Sequence, residues 1–154
     1  KAPAGMNVTT RPATLADSDS LLAWRNDPGT RANSVSPDPV EPEVHAVWFA
    51  RVLHDPNRVL VIGEDSDGTP IGMVRFDLTA GHAEVSINLA PAARGKSLST
   101  PLLRAAEHWI TGRAEVLVAA IKATNQPSIR AFERAGYRPL AGDSADLLRF
   151  EKRL

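Results

Sequence analysis

The sequence predicts one α/β (α+β) domain on a mixed sheet of about six or seven strands, flanked by about four helices. Three observations predict it. Segments with period-two apolar alternation interleave with segments of helical period, in the order β-α-α-β-β-β-α-β-α-β-β. This order mixes hairpins with strand–helix–strand crossovers, so the sheet is antiparallel first and parallel near its middle. A chain of 154 residues with 43% hydrophobic content suffices for one core, burying about 68–70% of its unfolded surface. Eighteen basic residues offset eighteen acidic ones, which leaves no global field to steer the chain to nucleic acid or an anionic membrane. No apolar run approaches the roughly 20 residues of a membrane span. The absence of cysteine removes disulfide and thiol chemistry.

Residues 1–5 (KAPAG) read as a tag remnant or a linker from a preceding domain, and 6–154 as the folded domain. MNVTTRP (6–12) is the first strand. Thr14 or Asp17 can cap a helix running to Trp24, with Leu15, Leu21, Leu22 and Trp24 as its apolar positions. Asn26-Asp-Pro-Gly29 breaks it, and 30–43 is a Pro-, Ser- and Asn-rich loop. Val44, Val47, Trp48, Ala50 and Leu53 mark a second helix, stopped by Asp55-Pro56. Strands at 59–62 and 71–78 flank Asp65-Ser-Asp-Gly-Thr69, a hairpin signal. A turn at Thr79-Ala-Gly81 leads into the central strand, 83–89. A helix over 98–111 follows, with Leu98, Leu102, Ala105, Ala106 and Trp109 on one face. Residues 116–121 form a buried strand. Asn125-Gln-Pro-Ser128 opens a helix to Ala135, and Gly136 ends it. Strands at 137–140 and 147–152 finish the chain.

The stretch that organises the rest is AEVSINLAPAARGKSLSTPLLRAAEHWI. Val85, Ile87 and Leu89 alternate with Glu84, Ser86 and Asn88, so one strand face is apolar and the other polar. Between strand and helix, Ala93-Arg-Gly-Lys-Ser-Leu-Ser99 is small and basic with no acid. A helix N-terminus leaves amides unpaired and carries partial positive charge, which suits a phosphate or pyrophosphate. Pro101 is the first residue here without an N–H, so every amide from 94 to 100 is a candidate donor.

This segment resembles the coenzyme A loop of the GNAT superfamily of acyl-CoA-dependent N-acyltransferases, written [QR]-x-x-G-x-[GA] after a strand. Arg94 fits the first position, followed by Gly95 and Lys96, whereas Ser97 and Ser99 stand where the family prefers Gly and then Gly or Ala. Each Cβ narrows the room for a pyrophosphate. About thirty residues on, Asn125-Gln-Pro-Ser128-Ile-Arg-Ala-Phe132-Glu-Arg-Ala-Gly136-Tyr137 resembles the family's N-x-x-S-[IA]-x-x-[YF]-E-[KR]-x-G-[FY]. The resemblance runs from about Met6 to the C-terminus and implies acetyl-CoA as cosubstrate. It implies a cytoplasmic enzyme acting on a small-molecule amine, and a homodimer paired through C-terminal strands. It assigns the cofactor site to Arg94, Gly95, Lys96, Ser97, Leu98 and Ser99, the strand end at Ile87 and Leu89, and Asn125, Ser128 and Phe132.

Two acid/base positions common in the family are vacant. Phe132 stands where many members carry a Tyr that protonates the departing thiolate, and Ala120 where many carry Glu. Acyl transfer needs a neutral amine, a polarised thioester carbonyl and a destination for the ammonium proton. Glu84 is the candidate base, perched with Ser86 on the polar face of the central strand, and Asn125 joins them in the catalytic set. The N–H near Leu89 is the candidate oxyanion donor. The alternative for Glu84 is an ordinary solvent-facing carboxylate. His82, His54 and His108 read as surface residues, without partners at ligand spacing, so no metal site is expected.

Trp24-Arg25-Asn26, Arg31 and His45-Ala-Val-Trp48-Phe49 resemble the acceptor wall of the GNAT branch that acetylates nucleotide-activated amino sugars, as in pseudaminic acid synthesis. Arginines suit diphosphates and tryptophans suit sugar or base faces. Substrate contacts are therefore expected from Trp24, Arg25, Arg31, His45 and Trp48. The competing readings are core anchors for the tryptophans and a helix-surface position for His45. The function expected is N-acetylation of such an amino sugar. The alternatives are a protein N-terminal or ribosomal-protein acetyltransferase and a non-catalytic CoA-binding module.

Overall fold

The first β-rich run forms a strand at Thr9–Pro12 (β1), followed by a 3-10 turn and helix α1 (Ser18–Asn26). The chain is described by a computed structural model for residues 7–141 and 144–154, so the tag or linker expected at 1–5 lies outside the described residues. Asp17 ties the entry to α1. Its carboxylate accepts the Thr14 N–H at 2.8 Å and takes a bidentate pair from Arg11 at 2.9 and 2.8 Å. Leu15, expected to be buried, is instead 66% exposed, because its turn precedes the helix proper.

The loop expected over 30–43 holds an extra helix, α2 (Pro28–Ala32), before α3 (Pro42–His54). Asp27 caps α2 through the Thr30 N–H at 3.1 Å, and Pro28 occupies its first turn, where no N–H is needed. β2 (Arg58–Glu64) and β3 (Pro70–Thr79) are joined by the expected hairpin. Asp65 Oδ1 accepts the amides of Asp67 and Thr69 at 2.9 and 3.0 Å, and Gly68 takes φ +77° there. Then come β4 (His82–Leu89), α4 (Ser99–Ala106), β5 (Val116–Lys122), α5 (Gln126–Arg134), β6 (Arg138–Leu140) and β7 (Leu147–Arg153). α4 is shorter than the pattern suggests and passes into a 3-10 turn at Glu107–Trp109.

The seven strands lie in the order β1-β2-β3-β4-β5-β7-β6, antiparallel throughout except where β4 runs parallel to β5. Each sheet face is covered. Val74, Phe76, Ala83, Val85, Leu117, Ala119 and Phe150 pack with Leu102, Leu103 and Ala106 of α4 and Ile129 and Phe132 of α5. Leu60 and Ile62 face the other way, into a second cluster with Leu21 and Trp24 of α1 and Phe49 and Val52 of α3. Each fully buried side chain of this size contributes about 1.5–3 kcal/mol. The buried side of the α4 segment is wider than the expected stripe, since Leu103 and Ile110 are fully buried while Ala105 and Trp109 are half-buried.

One irregularity matters for function. β4 pairs with β5 only over His82–Val116, Ala83–Leu117 and Glu84–Val118. Beyond Glu84, β4 stays with β3 out to Leu89, and beyond Val118, β5 stays with β7 out to Lys122. The two strands part, and the sheet opens into a wedge.

Candidate active site

The wall of the wedge on the β4 side carries unpaired backbone. Ala90 donates its N–H to Ile71 O at 2.8 Å, which fixes the phase of the β3–β4 ladder. By the alternation of an antiparallel ladder, Asn88 and Ser86 bond to β3, whereas Ile87 and Leu89 turn their N–H and C=O groups toward the opening. An extended ligand arm can add there as a strand would. Glu84 stands at the base of the opening, exposed on the sheet face covered by α1 to α3, with Ser86 and Asn88 above it.

The loop after β4 has the shape of an anion cradle. Gly95 takes φ +75°, and a Cβ there would meet nothing within 4 Å. Ser97 takes φ +58°, the left-handed conformation, which explains why Gly is preferred at that position. The amides of residues 95–100, proline not among them, find no hydrogen-bond acceptor among the described residues. The Arg94 amide, expected to belong to this set, is spent on Pro91 O at 3.3 Å. Its side chain also departs from expectation. Arg94 Nη1 pairs with Asp27 Oδ2 at 2.8 Å, and Nη2 donates to Thr30 Oγ1 at 2.6 Å. The Asp27 carboxyl is held below its ordinary range, first by the Arg94 hydrogen bond and then by the Thr30 amide.

α2 thereby straps the opening. Thr30 Oγ1 donates to Asn88 Oδ1 on β4 at 3.2 Å, and Lys122 Nζ on β5 donates to Ala32 O at 3.2 Å. Thr30, Asn88 and Lys122 are the residues that sequence reasoning missed, and Asp27 was read only as part of the acceptor-wall stretch Trp24 to Pro28. Asn88 carried a signal as the third polar residue in the alternation of β4, and Asp27-Pro28 as a cap followed by a first-turn proline.

On the α5 side, Asn125 Oδ1 caps the helix by accepting the Ser128 N–H at 3.4 Å, which leaves Nδ2 as its remaining donor. This argues for positioning rather than proton transfer by Asn125. Phe132 is buried and meets Tyr137 edge-on at 4.8 Å. Tyr137 is buried beside it, and burial, reinforced by Glu107, pushes its phenol above the usual value.

The expected acceptor residues separate. Trp24 is 8% exposed and His45 4%, both inside the α1–α3 layer, so neither is available to a ligand. His45, expected as a substrate contact with a helix-surface position as the alternative, is stacked on Phe49 with centroids 5.9 Å apart, and burial lowers its pKa. Trp48 is half-buried with the Arg75 guanidinium 5.4 Å from its ring centroid. Arg25 and Arg31 are half-buried: Arg25 Nη2 donates to Ser36 O at 2.7 Å, while Arg25 Nη1 and Arg31 Nε are buried with no hydrogen-bond partner among the described residues. Among the described residues no group of three or more potential metal ligands occurs, and no helix is long and apolar enough to cross a membrane.

Residues 7–138 match the sequence profile of the acetyltransferase (GNAT) domain. The chain is 30% identical over 138 residues, 84% of its length and 83% of the relative's, to "Putative phosphinothricin acetyltransferase YwnH" of Bacillus subtilis (strain 168). A domain from Methanocaldococcus jannaschii superposes with a TM-score of 0.83 at 22% identity, covering 96% of this chain and 99% of that one. Spermidine N-acetyltransferase from Vibrio cholerae, solved with CoA and spermine, also gives 0.83, at 17% identity and 95% coverage of both chains.

Proposed function

This chain belongs to the GNAT acetyltransferase family, an acetyl-CoA-dependent N-acetyltransferase acting on an amine, and from that premise we propose that the amine is borne by a nucleotide-activated amino sugar. The observation that carries the catalytic part is the parting of β4 and β5 immediately beyond Glu84. Acetyl-CoA, when bound, supplies a thioester-activated acetyl group. The amides of residues 95–100 suit its pyrophosphate, and the outward backbone of Ile87 and Leu89 suits its extended arm. The Leu89 N–H is the donor available to a carbonyl oxygen at the mouth of the wedge. Glu84 takes the proton that the amine must lose, directly or through one water. With Phe132 on α5 there is no side-chain acid at that point, and water returns the proton to the leaving group.

Arg25 and Arg31 support the sugar-nucleotide acceptor as half-buried guanidinium groups, a type that meets a diphosphate bidentately. A second reading, a small amino acid of the phosphinothricin type, is favoured by the similarity to YwnH. A cytoplasmic homodimer completes the proposal. The short edge strand β6, exposed at all three residues, is the surface that supports pairing, and light scattering of the purified protein tests it.

The deciding experiment measures steady-state acetylation of a UDP-4-amino sugar, phosphinothricin, spermine and a peptide N-terminus at saturating acetyl-CoA. The amino-sugar reading requires the nucleotide to exceed the others at least tenfold in kcat/KM. Preference for phosphinothricin installs the second reading, and preference for the peptide overturns both.

A further inference from the structure

The sheet face that carries Glu84 holds a second ordered group. Arg75 on β3 stands directly opposite Ser86 on β4, and its neighbour Asp77 stands opposite Glu84. Arg75 is thus the diagonal neighbour of Glu84, at a spacing of about 7–8 Å between Cα atoms. Its guanidinium is fixed from two sides. Nε donates to Asp77 Oδ2 at 3.2 Å, and the plane lies 5.4 Å from the ring centroid of Trp48 on α3. Asp77 is shared with Arg58, whose Nε lies 3.7 Å from Oδ1, and Arg58 also meets Asp55 at 3.6 Å. One N–H of Arg75 is therefore spent, while among the described residues neither Nη nitrogen has a hydrogen-bond partner. The side chain is 26% exposed, open enough for a ligand to reach.

A structural arginine spends its fork on the protein. Arg75 is braced through Nε and its ring contact, which leaves the four terminal N–H groups in the geometry that meets a planar or tetrahedral oxyanion bidentately. Arg and Glu side chains rising from diagonal positions of one face can bring their tips together. An amine approaching Glu84 would then carry its anionic group to Arg75.

We propose that Arg75 is the specificity-determining residue for the acceptor, and that it recognises a carboxylate or phosphinate close to the amine that is acetylated. The inference rests on the acetyl-transfer reading above and on Glu84 marking the amine subsite. It takes up the amino-acid reading of the acceptor given above in place of the sugar nucleotide, and names the anion as the feature selected. Asp77 and Trp48 are positioning residues in this scheme.

The test compares phosphinothricin with its α-carboxyl methyl ester and with a UDP-4-amino sugar, in wild type, Arg75→Gln and Arg75→Lys. The wild type should favour the free acid over the ester through KM. Arg75→Gln should raise KM for the acid by about 10–100-fold, the loss of a charge-assisted hydrogen bond, and bring the acid-to-ester ratio near one. Arg75→Lys should restore part of the preference, and the KM for acetyl-CoA should not move in either variant. Equal use of acid and ester by the wild type overturns the proposal, as does Arg75→Gln lowering both in the same proportion. A wild type that prefers the nucleotide, insensitive to Arg75→Gln, also overturns it. If no amine is acetylated, the transfer reading fails on its own, and calorimetric titration of phosphinothricin into the CoA-loaded protein decides about Arg75. Binding that Arg75→Gln abolishes supports it, and absent or unchanged binding overturns it.

Discussion

Arg94 and Asp27 meet at 2.8 Å, so the basic residue of the loop after β4 is bonded to the cap of α2. Asp27 and a pyrophosphate would compete for the same guanidinium. Asp27→Asn should therefore free Arg94 and tighten coenzyme A about threefold by calorimetry, the scale of an exposed ion pair. Arg94→Glu should weaken it at least tenfold. Weaker binding in Asp27→Asn would mean that the pair orders the loop for the coenzyme instead.

Ser97 holds φ +58° at a position where a Cβ is a burden. Replacing it with glycine removes about 1 kcal/mol of backbone strain, or about 2–4 °C in Tm for a domain of this size. The same change opens the cradle, so calorimetry should show tighter coenzyme A. A lower Tm for Ser97→Gly would show that the added freedom of the unfolded chain outweighs the strain relieved.

The topology was legible because its signals are local. The Asp65 to Thr69 turn and Gly81 force hairpins, and the stretches between β4, β5 and β6 are long enough only for helices. What escaped depends on distant partners. The five-residue α2 is too short to stand on propensity, and Asn88, Lys122 and Arg94 hold it from elsewhere in the chain. The destination of Arg94 was hidden for the same reason, since local sequence placed it beside a basic loop and nothing nearby named Asp27. His45 read as an acceptor contact or a helix-surface residue because it stands near the start of its helix, yet its neighbours Val44 and Val47 are the exposed ones. The periodicity of α3 is genuine but rotated, so that His45, Phe49 and Val52 form the buried row.

Glu84 lies at the last paired position of β4 and β5, with its side chain on the sheet face covered by α1 to α3. If it takes the amine proton, Glu84→Gln should lower kcat by about 10²–10⁴-fold, the usual contribution of a positioned base. Coenzyme affinity should be unchanged, because Glu84 lies apart from the cradle at residues 95–100. Normal turnover in Glu84→Gln would clear it of the role and leave water as the acceptor of the proton.

His45 gives the fold a pH dependence with a definite sign. Burial against Phe49 and Trp48 disfavours the imidazolium, so its folded pKa lies below the unfolded value of about 6.5. Between those two values the unfolded chain binds the proton and the folded chain does not, so acidification favours unfolding. The stability that His45 contributes is complete above about pH 6.5 and declines as pH falls through the window below it, by at most about 1.4 kcal/mol per pH unit. The Asp17 carboxyl, held low first by its hydrogen bond from Arg11, acts in a separate range: its contribution is lost only below the unfolded carboxylate value of about 3.9. Melting between pH 5 and 7 therefore tests His45, the one buried histidine. The wild type should lose about 2–5 °C per pH unit at the steepest point of that interval. His45→Leu should flatten the dependence while keeping the stacked row filled. A slope that survives His45→Leu would assign the titration to another group.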